Sequence, residues 1–177
     1  WINKARETRG AKLIHVDPRF TRTSAVADIY APLRPGTDIA FLGGMIKYII
    51  DNNLYHYDYV LNYTNASFLV SPDYNFDPEK GLFSGYDEEN HKYDVTTWDY
   101  QYGPDGKPLR DMTLTNPRCV FQLLKEHYSR YDIDTVCSIT GTPKDKYLKV
   151  LETFCSTGAP NKVGTVLYAM GITQHTV

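Results

Sequence analysis

A short apolar run, Ala11 to Val16, ends abruptly on Asp17-Pro18, and this junction constrains the chain more than any other feature. Leu13, Ile14 and Val16 suit burial in a sheet, whereas Pro18 has no N–H to donate to a ladder, so the chain must leave the sheet there. Arg34-Pro35-Gly36-Thr37-Asp38 then forms a turn that opens onto an apolar helix. Ile29 to Leu33, just before it, is expected as a short edge strand. Pro32 argues against a central position. Two carboxylates, Asp17 and Asp38, thereby fall at one end of an α/β layer, the end at which open parallel sheets bind nucleotides.

Elements along the chain follow from periodicity and punctuation. Residues 1–9 carry helix formers, and Gly10 is suited to a left-handed helix end. Thr37 or Gly36 caps a helix running to about Asn52, with Asp38 in its first turn and Ile39, Leu42, Met45, Ile46, Ile49 and Ile50 on a broad apolar face. Gly43-Gly44 inside that helix costs about 1 kcal/mol per Gly relative to Ala. Close approach to the sheet is the expected return. Further helices are predicted over 55–63, 119–131 and 134–139, the last stopped by Gly141. Another is expected from Thr142-Pro143-Lys144-Asp145, with Thr142 as cap and Pro143 at the first position, up to Gly158. Val163 to Ala169 predicts a last strand, and Met170 to His175 a βα turn reaching the same sheet edge.

Residues 71–118 break this rhythm with dense turn signals and form an irregular insertion, too long for an ordinary loop. One hairpin is expected within it, Lys92 to Tyr102 against Lys107 to Asp111. Many of the fifteen Tyr fall between 55 and 102, suited to a loop-rich surface or an interface. No internal repeat is evident.

Composition removes several classes. A formal net charge of -2 carries no footprint for nucleic acid. No apolar run is long enough to span a bilayer, so direct membrane insertion is not expected. Cys119, Cys137 and Cys155 form no C-x-x-C pair, and no metal site is expected from them or from the scattered histidines. They read as structural.

Asp17, at the end of a strand, suits acceptance of ribose hydroxyls, although Asp-Pro also makes plain turns. Arg19, Thr21, Arg22 and Thr23 add donors beside it. Asp38 suits a guanine edge, since one carboxylate can take two N–H bonds; it equally suits a helix start. Met170, Gly171, Gln174 and His175 complete the candidates. Gly171 allows close approach of the backbone, and Gln174 carries an amide able to read a heterocycle.

The runs Val16-Asp17-Pro18-Arg19-Phe20-Thr21-Arg22-Thr23 and Tyr30 to Leu42 resemble the catalytic subunit of molybdenum or tungsten formate dehydrogenases, in the respiratory, selenocysteine-type branch. The likeness continues in Tyr63 to Ser67, Gly81 to Tyr86, Asn116 to Val120, Gly141 to Lys144 and Tyr168 to Val177. The resemblance implies an α/β fold with Rossmann-like αβα layers, a partial parallel sheet and the irregular insertion. It implies that residues 1–177 are one piece of a region that binds molybdopterin guanine dinucleotide, used to oxidise formate to carbon dioxide. Asp17 and Asp38 would hold the guanosine end, lined by Pro18, Arg19, Thr21, Gly36 and Thr37. Met170, Gly171, Gln174 and His175 would face the cofactor nearer the metal.

The metal-ligating residue, the 4Fe-4S cluster cysteines and the active-site arginine match nothing here, so no catalytic residue is assigned and the piece is expected to be inactive and empty alone. Implied partners are the rest of the catalytic subunit, an iron–sulfur electron-transfer subunit and a membrane cytochrome subunit, on the exported side of the membrane. Two alternatives are a piece of a nitrate reductase-like molybdopterin enzyme and a non-redox nucleotide-binding or assembly module.

Overall fold

The computed structural model describes residues 1–174. It has mixed helices and strands, in two compact units. One unit combines Trp1–His56 with the chain from Tyr128 onward, and the other is Tyr57–His127.

In the first unit, α1 (Ile2–Arg9) ends on Gly10 at φ 65°, the left-handed end that its glycine allows. The first strand is narrower than the apolar run, β1 (Ile14–Val16), because Leu13 already turns its carbonyl to the N–H groups of Asp28 and Ile29. It pairs in parallel with β2 (Ile29–Ala31), in the register Ile14–Ile29, His15–Tyr30 and Val16–Ala31. A short helix, α2 (Arg22–Val26), lies in the connection between them. β2 stops before Pro32, and α3 (Asp38–Asp51) follows.

Three more helices in this unit take the labels α4 (Ile133–Thr140), α5 (Lys144–Cys155) and α6 (Met170–Thr173). The core joins Ala31 and Leu33 with Phe41 and Met45 of α3, Val136 of α4, and Tyr147, Val150 and Leu151 of α5. Tyr147 is fully buried. Its ring meets Phe41 edge-on at 4.8 Å, and its hydroxyl donates to the Phe41 carbonyl at 2.8 Å. Burial pushes this phenol well above its ordinary pKa, so it remains a donor.

Three sequence expectations change here. Gly43 and Gly44 do not bring α3 onto the sheet. A β-carbon on Gly43 would lie 2.9 Å from the Tyr131 ring; one on Gly44 would collide with the Tyr147 hydroxyl and lie 2.7 Å from Val136. The glycines make room for side chains arriving from helices. Thr142 is not the cap of α5: Pro143 occupies that position, and the Thr142 hydroxyl donates to the Pro32 carbonyl at 2.7 Å. The end of β2 releases that carbonyl from the ladder, and it is the better partner. Residues 163–169 form no strand. A β-prone run becomes a strand only beside an edge that accepts its N–H and C=O groups. Val163 and Leu167 are 90% and 75% exposed instead.

The second unit carries helices α7 (Tyr57–Tyr63) and α8 (Val120–Tyr128) and a chain of tight turns. Two antiparallel hairpins, β3–β4 (Phe76–Asp77, Leu82–Phe83) and β5–β6 (Tyr86–Asp87, Lys92–Tyr93), repeat one plan at a spacing of ten residues. Asp77 accepts from the N–H groups of Glu79 and Lys80, and Asp87 likewise from Glu89 and Asn90. Gly81 and His91 then sit at φ 68° and 49°. A short internal repeat is therefore present after all. It is hidden because little recurs in sequence beyond the Asp, the flanking aromatics and one Glu, Glu79 and Glu89. Lys92 belongs to this second hairpin. The expected hairpin is confined to Gln101–Leu109, where Gly103 N–H donates to Lys107 and Leu109 N–H to Gln101.

The tyrosine-rich zone packs inward as well as outward. Phe83 lies against Phe76, Trp98, Tyr74 and Tyr93 at centroid distances of 4.9 to 6.4 Å. Such pairs add about 0.5–1.5 kcal/mol each beyond their burial. Asp111 organises the turn that follows. Its carboxylate accepts from the Thr113 hydroxyl at 2.6 Å, Asn116 N–H at 2.6 Å, and the N–H groups of Thr113 and Thr115.

These donors, the Thr113 hydroxyl first, hold the Asp111 carboxyl at about 2. A depressed carboxylate stabilises the fold above its ordinary value of 3.8 and loses that contribution as pH falls through about 2. The Trp98 fluorescence of wild type should therefore report progressive loss of stability from about pH 4 to about pH 2. An Asp111→Asn variant should be weaker at pH 7, with the gap closing over that interval. Parallel acid limbs would overturn the assignment.

Candidate functional site

The candidate site grows from the carboxyl ends of β1 and β2. Asp17 follows β1 directly, and its N–H still donates to the Ala31 carbonyl at 3.3 Å. Its Oδ1 accepts from Arg19 N–H at 2.7 Å, which closes a tight turn over Pro18. The Tyr30 hydroxyl donates to the Asp17 main-chain carbonyl at 3.0 Å. On the second oxygen, His15 Nε2 lies 3.7 Å from Oδ2. Asp17 is thus held from both strands, while a carboxylate with about four lone-pair sites keeps acceptor capacity for a ligand.

Beyond Pro18 the chain bends into α2. Ser24, buried, accepts from Thr21 N–H at 2.8 Å. Arg19, Phe20, Thr21, Arg22 and Ala25 line an open recess of about 510 Å³. Two guanidinium groups, a hydroxyl and an exposed ring suit an anionic group or a flat heterocycle.

After β2, Arg34 to Thr37 make a turn in which Thr37 N–H and hydroxyl both donate to the Arg34 carbonyl, at 3.3 and 2.7 Å. Pro35 occupies its second position, and Gly36, at φ 78°, the third, which only a residue free to adopt positive φ fills readily. The turn delivers Thr37 as the cap of α3 and Asp38 as its first residue. The Arg34 side chain points elsewhere. Its Nη1 donates to the Ser138 and Ile139 carbonyls at 2.7 and 2.9 Å, closing the C-terminal end of α4.

Asp17, Pro18, Arg19 and Thr21, and separately Gly36, Thr37 and Asp38, therefore follow two neighbouring parallel strands. Met170, Gly171 and Gln174 are not brought to this edge. They belong to the exposed α6 segment, whose hydrogen bonds among the described residues stay within 170–174. The reason is the missing strand at 163–169, which was expected to carry them there. His175 lies outside the described residues.

Sequence reasoning overlooked His15, Ser24 and Tyr30. The available signal was an imidazole inside an otherwise apolar run, in a position where alternation predicts burial. Among the described residues no group of three or more His, Cys, Asp or Glu could hold a metal ion. Burial pushes the Cys137 and Cys155 thiols up, which suits packing better than reactivity. No described helix is long and apolar enough to cross a membrane.

No protein-family model matches the chain. It is 56% identical over all 177 residues to the formate dehydrogenase subunit alpha of Megalodesulfovibrio gigas. The same identity and span relate it to the nitrate-inducible formate dehydrogenase major subunit of Escherichia coli. The chain is a homologue of one segment of formate dehydrogenase alpha subunits. That segment is 17% of the length of each of these relatives. Among solved structures, the acetylene hydratase of Pelobacter acetylenicus matches 89% of the chain and 14% of its own, at 29% identity and a TM-score of 0.52. This chain thus shares its α/β fold with part of a chain named for a reaction other than formate oxidation, so the fold alone does not specify the chemistry.

Proposed function

We propose that this chain binds the guanosine end of a molybdopterin guanine dinucleotide within a formate dehydrogenase alpha subunit. The observation that carries this reading is the Asp17 carboxylate, held at the carboxyl end of β1 by Arg19 N–H, with a Gly36 turn leading into α3 from the adjacent strand. Asp17 would accept ribose hydroxyls, and Asp38 would take paired N–H bonds from a guanine edge. Arg19, Thr21 and Arg22, lining the recess, suit the phosphates. The residues fit the nucleotide end of the cofactor. Met170, Gly171, Gln174 and His175 belong to this proposal only as residues that would approach the cofactor when the rest of the subunit surrounds them.

When bound, the cofactor supplies the metal centre at which formate is oxidised to carbon dioxide. This chain would contribute binding and orientation, and alone it would show no turnover. The rest of the subunit, an iron–sulfur subunit and a membrane cytochrome subunit on the exported side of the membrane are the proposed partners. Molybdenum and tungsten fit this reading equally, because the residues described touch the organic end.

Calorimetry of the chain with guanosine diphosphate and with adenosine diphosphate tests the reading. Guanosine diphosphate should bind about tenfold to a hundredfold more tightly, the worth of one to two charge-assisted hydrogen bonds. Asp38→Asn should erase most of that preference. Equal affinities for the two nucleotides, or no binding, would reject the proposal.

A further inference from the structure

We propose that His15 is a positioning residue for the nucleotide site: through Ser24 it ties the Asp17 carboxylate to the Thr21 main chain, so that acid and loop are oriented together. The inference rests on the reading of Asp17 as a nucleotide acceptor. It gives His15 and Ser24, whose separate contacts are described above, one joint role.

Of the two His15 tautomers that the Ser24 contact allows, the one proposed turns an N–H toward the Asp17 carboxylate. Thr21 N–H can only donate, and it donates to Ser24 Oγ at 2.8 Å. The Ser24 hydroxyl proton is then free to point at His15 Nδ1, 3.0 Å away. A ring that accepts at Nδ1 carries its proton on Nε2. That nitrogen lies 3.7 Å from Asp17 Oδ2, within ion-pair reach and a small rotation short of a hydrogen bond. The series runs Thr21 N–H, Ser24 O–H, His15 Nε2–H, Asp17 carboxylate. The first two steps are hydrogen bonds, and the last is an ion-pair approach at 3.7 Å with the N–H turned toward the acid.

Three observations hold the imidazole in this line. β1 places His15 directly beside Tyr30 of β2, and the two rings stack at 6.0 Å and 27°. Phe20 meets the same Tyr30 ring edge-on at 5.2 Å. Ser24 is buried, so its hydroxyl is shielded from water that would otherwise compete for Nδ1. The groups facing the ring are Asp17 from the loop after β1, Tyr30 from β2 and Ser24 from α2. A ring supported in this way restricts the Asp17 rotamer before a ligand arrives, which reduces the ordering cost of binding.

The test uses the whole chain, with guanosine diphosphate as probe and far-UV circular dichroism to verify folding. His15→Ala should weaken binding about fivefold to tenfold, the loss of one hydrogen bond to a charged group. His15→Gln, whose amide N–H can reach the same carboxylate, should restore most of the affinity. A second readout needs no ligand. The long-range 1H–15N spectrum of the neutral His15 ring should show Nε2 protonated, and Ser24→Ala should give a mixture of tautomers. Wild-type affinity in His15→Ala, or a ring protonated on Nδ1, would overturn the proposal. Asp17→Asn separates the two ideas: if it binds the nucleotide like wild type, or wild type binds none, the reading of the site fails, while the ring tautomer still decides the relay.

Discussion

A Tyr147→Ala variant is expected to lose about 3–5 kcal/mol of stability, the range for deleting a large buried aromatic side chain. Tyr147 is fully buried between α3 and α5 and packs edge-on against Phe41. The glycine at position 44 leaves space only for the hydroxyl and for Val136. Nothing adjacent can collapse into the volume without breaking the helix contacts that define it. Tyr147→Phe should lose only about 1 kcal/mol, since it removes the bond to the Phe41 carbonyl and leaves no buried donor behind. Urea and thermal unfolding followed by circular dichroism distinguish the two. Equal losses in both variants would mean that the hydroxyl, not the packing, carries the core.

Arg118→Ala should produce the second large effect, about 2–3 kcal/mol, measured by Trp98 fluorescence in the second unit. The guanidinium Nη2 donates to the Ser71 and Tyr74 carbonyls, the latter at 2.9 Å, and so clamps the turn that opens the tandem hairpins. Hydrogen bonds from a charged donor contribute about 1.5–3 kcal/mol each. Among the described residues the buried Nε has no hydrogen-bond partner, and removing that uncompensated group offsets part of the loss. Arg118→Lys should restore stability only in part, because an ammonium carries the donors that Nη2 uses but sits on a shorter stem without the planar guanidinium surface. Full recovery by Lys would show that charge alone is sufficient.

Much of the first unit was legible because its signals are local. Gly10 and Gly141 end helices in the left-handed conformation, each beside the helix it stops, whereas the unremarked Asp132 cap starts α4 one residue earlier than expected. The Gly36 turn and the helix it launches were equally accessible, which is why Asp17 and Asp38 could be named as candidates. The misplaced features depend on distant partners. Thr142 lost its capping role to a carbonyl 110 residues away. Gly43 and Gly44 answer to Tyr131 and Tyr147, which no window around α3 contains. Residues 163–169 have strand propensity without a neighbouring edge to accept them. His15 was passed over because its partners, Ser24 and Asp17, converge only when the chain folds back on itself.

The parallel pairing of β1 with β2 has an evolutionary consequence. Parallel neighbours require a connection of about a dozen residues or more, and only residues 17–28 separate Val16 from Ile29. The same residues line the recess and carry the candidate acid. A deletion there would leave too little chain to return to the start of the sheet, whatever it did to ligand contacts. Selection can therefore exchange side chains along this connection while its length resists shortening. Preferences for one nucleotide over another would drift by substitution, and gaps in related sequences should be scarce between these two strands.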